Sequence, residues 1–319
     1  MTLSSTFPRR RSKKMKTRIL GLLAGLCLLA CGPRKTAAPA EVAFPSRLDI
    51  PSVYSDPAER AAFVASHYWD AFLALDGACD TARLHGVRRE EVEHAYGTWV
   101  TLLEQACILD DASAAVAKLF EKSQADTAVL SALDGWADKY LYDPNSPVRN
   151  EDLYLPWVRA RAASPLRQAA DDYTLKMCSL NRIGTPAADF PFTDLKGRIR
   201  TLYGVKADFT VLFFSNPGCP ACHDIVERIR ALPNVEKAIE EGRLAVVNVY
   251  IDQEVAKWLE LSGEYPRSWV CGYDHNYLIR SDVLYNVRAI PSLYLLDADK
   301  KVLLKDAPQE NVLGFIRGL

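Results

Sequence analysis

The sequence predicts a multi-domain chain: an all-α N-terminal half, then a mixed α/β half, both behind an export segment. Three observations carry this. Apolar and aromatic residues recur at helical spacing from residue 55 to about 180. After Gly184 the pattern changes to short, β-branched apolar runs separated by polar helical stretches. The first thirty residues match neither half. They hold Arg9, Arg10, Arg11, Lys13, Lys14, Lys16 and Arg18 without an acid, and then an apolar run from Ile19 to Ala30.

That run fits the core of a signal peptide and is too short to span a bilayer as a helix. It ends in Leu28-Leu29-Ala30-Cys31 before Gly32-Pro33. This resembles the lipobox of bacterial lipoproteins, which implies cleavage before Cys31 and lipidation of its sulfur. Several acyl chains on one residue would anchor the chain stably. We therefore expect a signal peptide over 1–30 and a tether over 31–47. A helical domain over 48–180 and an α/β domain over 181–319 should follow.

The 319 residues are 49% apolar and 25% charged, an ordinary globular balance. The 39 basic and 40 acidic side chains lose seven basic ones with the signal, leaving 32 against 40, or −8. No basic stripe appears later, so nucleic acid is not an expected partner. Export places the remaining cysteines where disulfides persist.

In the helical half, Ser55-Asp56-Pro57 supplies a capping residue and a first-turn proline. Phe63, Tyr68, Trp69, Phe72 and Leu73 follow at helical spacing. A second helix spans 89–109 with Val92, Tyr96, Trp99, Val100, Leu103 and Cys107 on one stripe, and further helices are expected at 111–123, 125–141, 150–163 and 165–180. These aromatic stripes read as core packing. His67, His85 and His94 lack metal-ligand spacing and read as surface or satisfied histidines. "KYLYDPNSPVRNEDLY" (139–154) and "HYWDAF" (67–72) resemble a helical domain of uncharacterised function found ahead of thioredoxin modules in bacterial lipoproteins.

In the second half, "FTVLFF" (209–214) and "LAVVNVYI" (244–251) read as buried strands. "SLYLLD" (292–297) and "KVLLK" (301–305) suit a hairpin across Ala298-Asp299-Lys300. Helices are expected at 222–232, 234–241, 253–262 and 308–318.

The chemistry centres on "NPGCPACH" (216–223), which allows a redox dithiol, half a zinc site, or c-type haem attachment. A haem needs a second axial ligand, and beyond the signal the only methionine is Met177, in the helical half. Zinc wants four ligands, and Cys271 and His275 are the remaining candidates in this half at a loose spacing. The dithiol reading fits best, and no cofactor is expected. A helix starting near Cys222 puts Cys219 at its N-terminus, where free N–H groups and the dipole favour a thiolate nucleophile. Cys222, one turn in, would be the buried resolving thiol.

With "VRAIPSLYLLD" (287–297) further on, the motif resembles the thioredoxin fold. "GTPAADFPFTDLKGRIRTLYG" (184–204) looks like the N-terminal extension of the TlpA/ResA type and of peroxiredoxins. The resemblance implies a thiol–disulfide oxidoreductase with Cys219 and Cys222 as the redox pair. Pro291 would be the cis-proline and Ile290 a backbone partner for an extended substrate. Pro220 and Ala221, between the cysteines, would tune the potential, and His223 could favour the thiolate as a cation. Implied partners are thiols and disulfides of cell-envelope proteins.

The sequence departs from the family twice. Phe213 stands where thioredoxins keep a buried Asp, and Ile225 where many TlpA/ResA-type proteins keep a Glu. Proton handling would then fall to Asp224, Glu227 or water. A peroxidatic centre is disfavoured, because Asn216 stands where that family has Thr. Cys79 and Cys107 are expected unbridged. Cys178 ends the helical half, Cys271 is expected in a loop, and both read as buried free thiols. The alternative to an enzyme is an envelope binding or assembly lipoprotein on a thioredoxin-like scaffold, since fold alone does not establish activity.

Overall fold

The structure is a computed structural model and describes residues 44, 48–163 and 168–319. The signal segment, Cys31 and most of the tether lie outside the described residues. Phe44 does not behave as tether: its ring packs 5.5 Å from Trp69 and 5.1 Å from Phe72, centroid to centroid.

The helical half opens with α1 (Pro57–His67), whose N-cap Asp56 accepts from the N–H groups of Ala58 and Glu59. A short α2 (Asp70–Leu73) follows. Next comes an element the helical spacing hid, a two-stranded hairpin of β1 (Arg83–Leu84) and β2 (Val87–Arg88). His85 and Gly86 form its turn, with φ of 49° and 80°. Two-residue hairpin turns favour positive φ at both central positions. A strand pair this short falls below any periodicity window.

Among the described residues five more helices follow in this half: α3 (Arg89–Ala106), α4 (Leu109–Ser123), α5 (Thr127–Ala137), α6 (Glu151–Arg161) and α7 (Gln168–Cys178). A π-helical turn over Asp138–Tyr142 extends α5. Tyr96, Trp99, Trp157 and Phe72 are fully buried at the centre of this half. The Trp99 indole N–H donates to the Ala65 carbonyl at 2.9 Å, so its one polar atom is satisfied. His67 stacks on Phe63 and bonds its carbonyl at 2.9 Å, and His94 is exposed.

The second half is one seven-stranded mixed sheet. Its strands are β3 (Pro191–Asp194), β4 (Ile199–Thr201), β5 (Phe209–Phe214), β6 (Leu244–Tyr250), β7 (Val270–Tyr273), β8 (Ser292–Leu296) and β9 (Val302–Leu304). The order is β4-β3-β7-β6-β5-β8-β9, with β5, β6 and β7 parallel and the other pairings antiparallel. Alternation sends Val211 and Phe213 of β5 to one face and Leu212 and Phe214 to the other. On the first face lie α8 (Pro220–Arg230), α9 (Val235–Glu240) and α12 (Gln309–Arg317), with Ile225, Ile229, Val312 and Ile316 buried. The other face is covered by the chain around Phe190, Leu202 and Tyr285 and by α11 (Leu278–Ser281). Near the β6 and β7 ends, α10 (Val255–Leu261) stacks Trp258 on Tyr250.

One expectation fails here. Cys271 lies within β7, not in a loop. Gly272 weakens the strand signal at this point, yet packing requires it. A Cβ there would stand 2.6 Å from the Thr193 carbonyl of β3 and 2.5 Å from the Phe192 ring.

Candidate redox site

β5 points its C-terminal end at the dithiol. The chain leaves it through Ser215, Asn216, Pro217 and Gly218, and Cys219 becomes the N-cap of α8 with Pro220 in the first turn. The Asn216 side chain accepts from the Gly218 N–H at 3.0 Å, and its carbonyl accepts from the Cys219 N–H at 3.0 Å, which fixes this turn. The Cys219 sulfur accepts from the Cys222 backbone N–H at 3.3 Å. The thiol thus occupies the position a serine or aspartate side chain takes at a helix start, against a free donor and the positive end of the dipole.

Both cysteines are free thiols. Cys219 is half-buried, whereas Cys222 is 1% exposed. Burial pushes the Cys222 thiol far up, and its hydrogen bond to Cys219 adds to this. Pro220, Ala221 and His223 are exposed around the pair.

The Ile290–Pro291 peptide is cis. The Ile290 carbonyl lies 4.0 Å from the Cys219 sulfur, so the structure brings Cys219, Cys222, Ile290 and Pro291 together. Beside them runs a groove of ≈ 450 Å³. Ala221 and Ile225 of α8 and Pro291 line one part of it, and Asn145, Pro147 and Arg149 of the helical half line another.

The helical half also holds the proline loop in place. Arg288 pairs with Glu151 of α6 at 3.1 Å and with Asp306 at 2.9 Å, and its guanidinium stacks over Tyr142 at 4.2 Å. On the other side of the proline, the Ser292 hydroxyl donates to Asp306 at 2.7 Å. Lys305 pairs with Glu151 at 2.7 Å and also donates to the Cys178 carbonyl. Arg149 donates to the carbonyls of Asp306 and Ala307 at 2.8 and 2.9 Å. Burial raises Glu151 above the usual carboxylate range, with Lys305 and Arg288 pulling the other way. No local pattern marks this network: its members are scattered single charges that only the fold assembles.

The acids proposed for proton handling divide. Phe213 and Ile225 are buried apolar, so neither family carboxylate has an equivalent at its own position. Asp224 lines the groove, while Glu227 pairs with Arg230 on the surface. A polar cluster missed in the sequence lies under Cys222 instead. Tyr265 and Ser215 share a hydroxyl hydrogen bond of 2.8 Å, and the Asn248 amide donates to Ser215 at 2.6 Å. Asn248 pairs with Phe213 across β6 and β5, one strand over from the expected acid. Burial raises the Tyr265 phenol, and the nearby Cys222 and Cys271 sulfurs raise it further. Lys257 was also missed, and its ammonium lies 3.9 Å from where a Cβ on Gly218 would stand.

The other described cysteines are free. Cys178 packs in the helical core and Cys271 against α8, and burial pushes each thiol up to about 12. Cys107 ends α3.

Comparison with known proteins places these features in context. The model of a family described as a domain of unknown function, DUF5106, matches residues 12–177, and that of a thioredoxin-like domain matches residues 201–306. No curated protein matches. A crystal structure of a thioredoxin-like protein from Bacteroides caccae is 36% identical, with 86% of this chain and 98% of that one covered and a TM-score of 0.75. The C-terminal domain of an uncharacterized protein from Bacteroides fragilis is 40% identical, covering 43% of this chain and 97% of its own, with a TM-score of 0.41. The thioredoxin domain of a thiol-disulfide oxidoreductase from Bacteroides vulgatus is 18% identical, covering 43% and 96%, with a TM-score of 0.38. The chain belongs to the DUF5106 family, and its helical N-terminal region is followed by a thioredoxin-like domain.

Proposed function

We propose that this protein is a lipid-anchored thiol–disulfide oxidoreductase of the periplasm, exchanging disulfides with envelope proteins through Cys219 and Cys222. The observation that carries the reading is the Cys219 sulfur at the N-cap of α8, 3.3 Å from the Cys222 N–H and 4.0 Å from the Ile290 carbonyl. In the reducing direction, the Cys219 thiolate attacks one sulfur of a partner disulfide. A mixed disulfide forms, and the displaced partner thiolate takes up a proton. Cys222 then loses its proton and attacks the Cys219 sulfur, which releases the second partner thiol. The partner gains two electrons and the pair becomes a disulfide. Run backwards, the same steps oxidise a dithiol.

Burial keeps Cys222 protonated until the mixed disulfide forms, so Cys219 is the entering nucleophile. Lys257, paired with Glu254 at 3.8 Å, stands beside the turn. The groove next to Pro291 supports an extended substrate segment bonded to the Ile290 backbone. Its second wall, Asn145 to Arg149, gives the helical half a share in substrate choice. Anchoring through Cys31 would keep the site near the membrane.

Cys222→Ser in the full chain should accumulate partners as DTT-reversible adducts on Cys219. If no adduct forms and the wild-type protein neither reduces nor oxidises a model disulfide, the proposal is wrong.

A further inference from the structure

A second cluster of reactive side chains lies in the helical half, away from the dithiol. Cys79, His85 and Asp126 each present one donor atom, and the three atoms lie within 4.8 Å of one another. We propose that they form a binding site for a zinc-class divalent cation, with a fourth position open to solvent. This site is independent of the redox reading.

The local folding sets it up. His85 occupies the first central position of the β1–β2 turn with φ of 49°, a conformation that costs most side chains energy. Gly77 lets the turn close: a Cβ there would stand 2.4 Å from the His85 carbonyl. The Gly86 N–H donates to the Ala78 carbonyl at 2.9 Å and the His85 N–H to the Cys79 sulfur at 3.3 Å, so the loop carrying Cys79 is pinned to the turn. Asp126 is the N-cap of α5, and its Oδ1 accepts from the N–H groups of Ala128 and Val129 at 2.8 and 3.1 Å. That leaves Oδ2 facing the cluster.

Donor and acceptor roles then place a proton or a metal ion between His85 and Asp126. His85 Nδ1 is 3.1 Å from the Phe72 carbonyl, which only accepts, so Nδ1 carries the hydrogen. His85 Nε2 is 3.1 Å from Asp126 Oδ2, a carboxylate oxygen that also only accepts. The same Oδ2 is 3.5 Å from the Cys79 sulfur. A proton on Nε2 satisfies the His85–Asp126 contact and the thiol hydrogen the Cys79–Asp126 one, whereas a metal ion in place of the two protons would join all three side chains. The spacing agrees. A tetrahedral ion with bonds of about 2.0 Å to N and O and about 2.3 Å to S has N···O and S···O edges of about 3.3 and 3.5 Å. A histidine whose second ring nitrogen is held by a backbone carbonyl is the usual supported metal ligand.

The arrangement does not suit a nucleophilic triad. It is the His85 backbone N–H, not a ring nitrogen, that bonds the Cys79 sulfur. Thiolate, imidazole and carboxylate together suit zinc among common divalent ions and disfavour calcium and magnesium. His85 is buried while Cys79 and Asp126 are half-exposed, so an ion can enter from outside. On binding, the Cys79 thiol proton leaves to solvent.

The test uses the full chain carrying Cys219→Ser and Cys222→Ser, which silences the dithiol. Zn²⁺ should bind at one equivalent and raise the thermal midpoint. Co²⁺ as a probe should show a sulfur-to-metal charge-transfer band. His85→Asn fits the turn, and Asp126→Asn keeps the helix cap. Each should weaken binding by more than the roughly 10–100-fold that loss of a mere supporting partner costs. Cys79→Ser should remove the band. Should one of these variants fold poorly, the other two still decide. Absence of stoichiometric binding, or equal affinity in all three variants, would reduce the cluster to a hydrogen-bonded His–Asp pair and overturn the site.

Discussion

Glu151, at the start of α6 in the helical half, and Arg288, three residues before the cis-proline of the thioredoxin-like half, form an ion pair of 3.1 Å. Glu151 is 3% exposed and also pairs with Lys305. One helical carboxylate therefore neutralises two cations of the other half, and one of these sets the position of the loop facing Cys219. The two halves are joined beside the loop that faces Cys219.

Glu151→Ala leaves Lys305 buried without its carboxylate and Arg288 with Asp306 alone. Breaking a buried pair by removing one partner costs about 3–5 kcal/mol. Denaturant unfolding of the variant should show a loss of that size. The Cys219 reaction with a protein disulfide should also slow, because the Ile290 carbonyl loses its support.

The groove makes a separate claim. Asn145 is exposed on the helical half and lines the groove opposite Ala221 and Pro291. Asn145→Trp should lower kcat/KM for a protein disulfide several-fold. Reaction with a small disulfide, which needs no groove, should be unchanged. Steady-state rates with both substrates check this.

Burial raises the folded-state Cys222 thiol above its ordinary value of 9.0. A thiol raised in this way contributes stability that is fully present below its unfolded value and lost as pH rises through the folded one. Reduced protein should therefore lose stability above about pH 9. Cys178 and Cys271, also raised, act in the same direction. Cys222→Ala should reduce the slope of unfolding free energy against pH in that window, and oxidation of the pair should reduce it similarly.

Under Cys222, Tyr265→Phe removes the hydroxyl that Ser215 bonds at 2.8 Å. Leaving that buried cluster short of one partner should cost about 1–3 kcal/mol. If the cluster also handles the Cys222 proton, breakdown of the mixed disulfide should slow while its formation does not. Stopped-flow traces with a labelled peptide disulfide separate the two steps.

The fold class was readable in the sequence because its signals are local and repeated. Helical stripes such as Val92-Tyr96-Trp99-Leu103 and β-branched runs such as 209–214 each carry their own periodicity. So was the dithiol, since strand, CxxC and helix are contiguous. What stayed hidden depends on distance along the chain or on brevity. The β1–β2 hairpin is two residues per strand, and β7 is broken by Gly272, whose missing side chain answers to β3 some eighty residues earlier. Glu151 and Arg288 are ordinary charges until the fold buries them together. His85, read as a satisfied histidine, meets Asp126 only through tertiary packing. Asn248 on β6 sits opposite Phe213 and bonds Ser215, a pairing that position 213 alone does not reveal.

The central claim concerns a pair of sulfurs that exchange two electrons as a unit. Equilibrating the full chain across glutathione buffers and counting alkylated cysteines by mass tests it most directly. The account predicts one two-electron transition in which Cys219 and Cys222 lose alkylation together, abolished by Cys219→Ala. Independent alkylation of Cys219 and Cys222 across the whole range, or a transition carried by another cysteine, would contradict it.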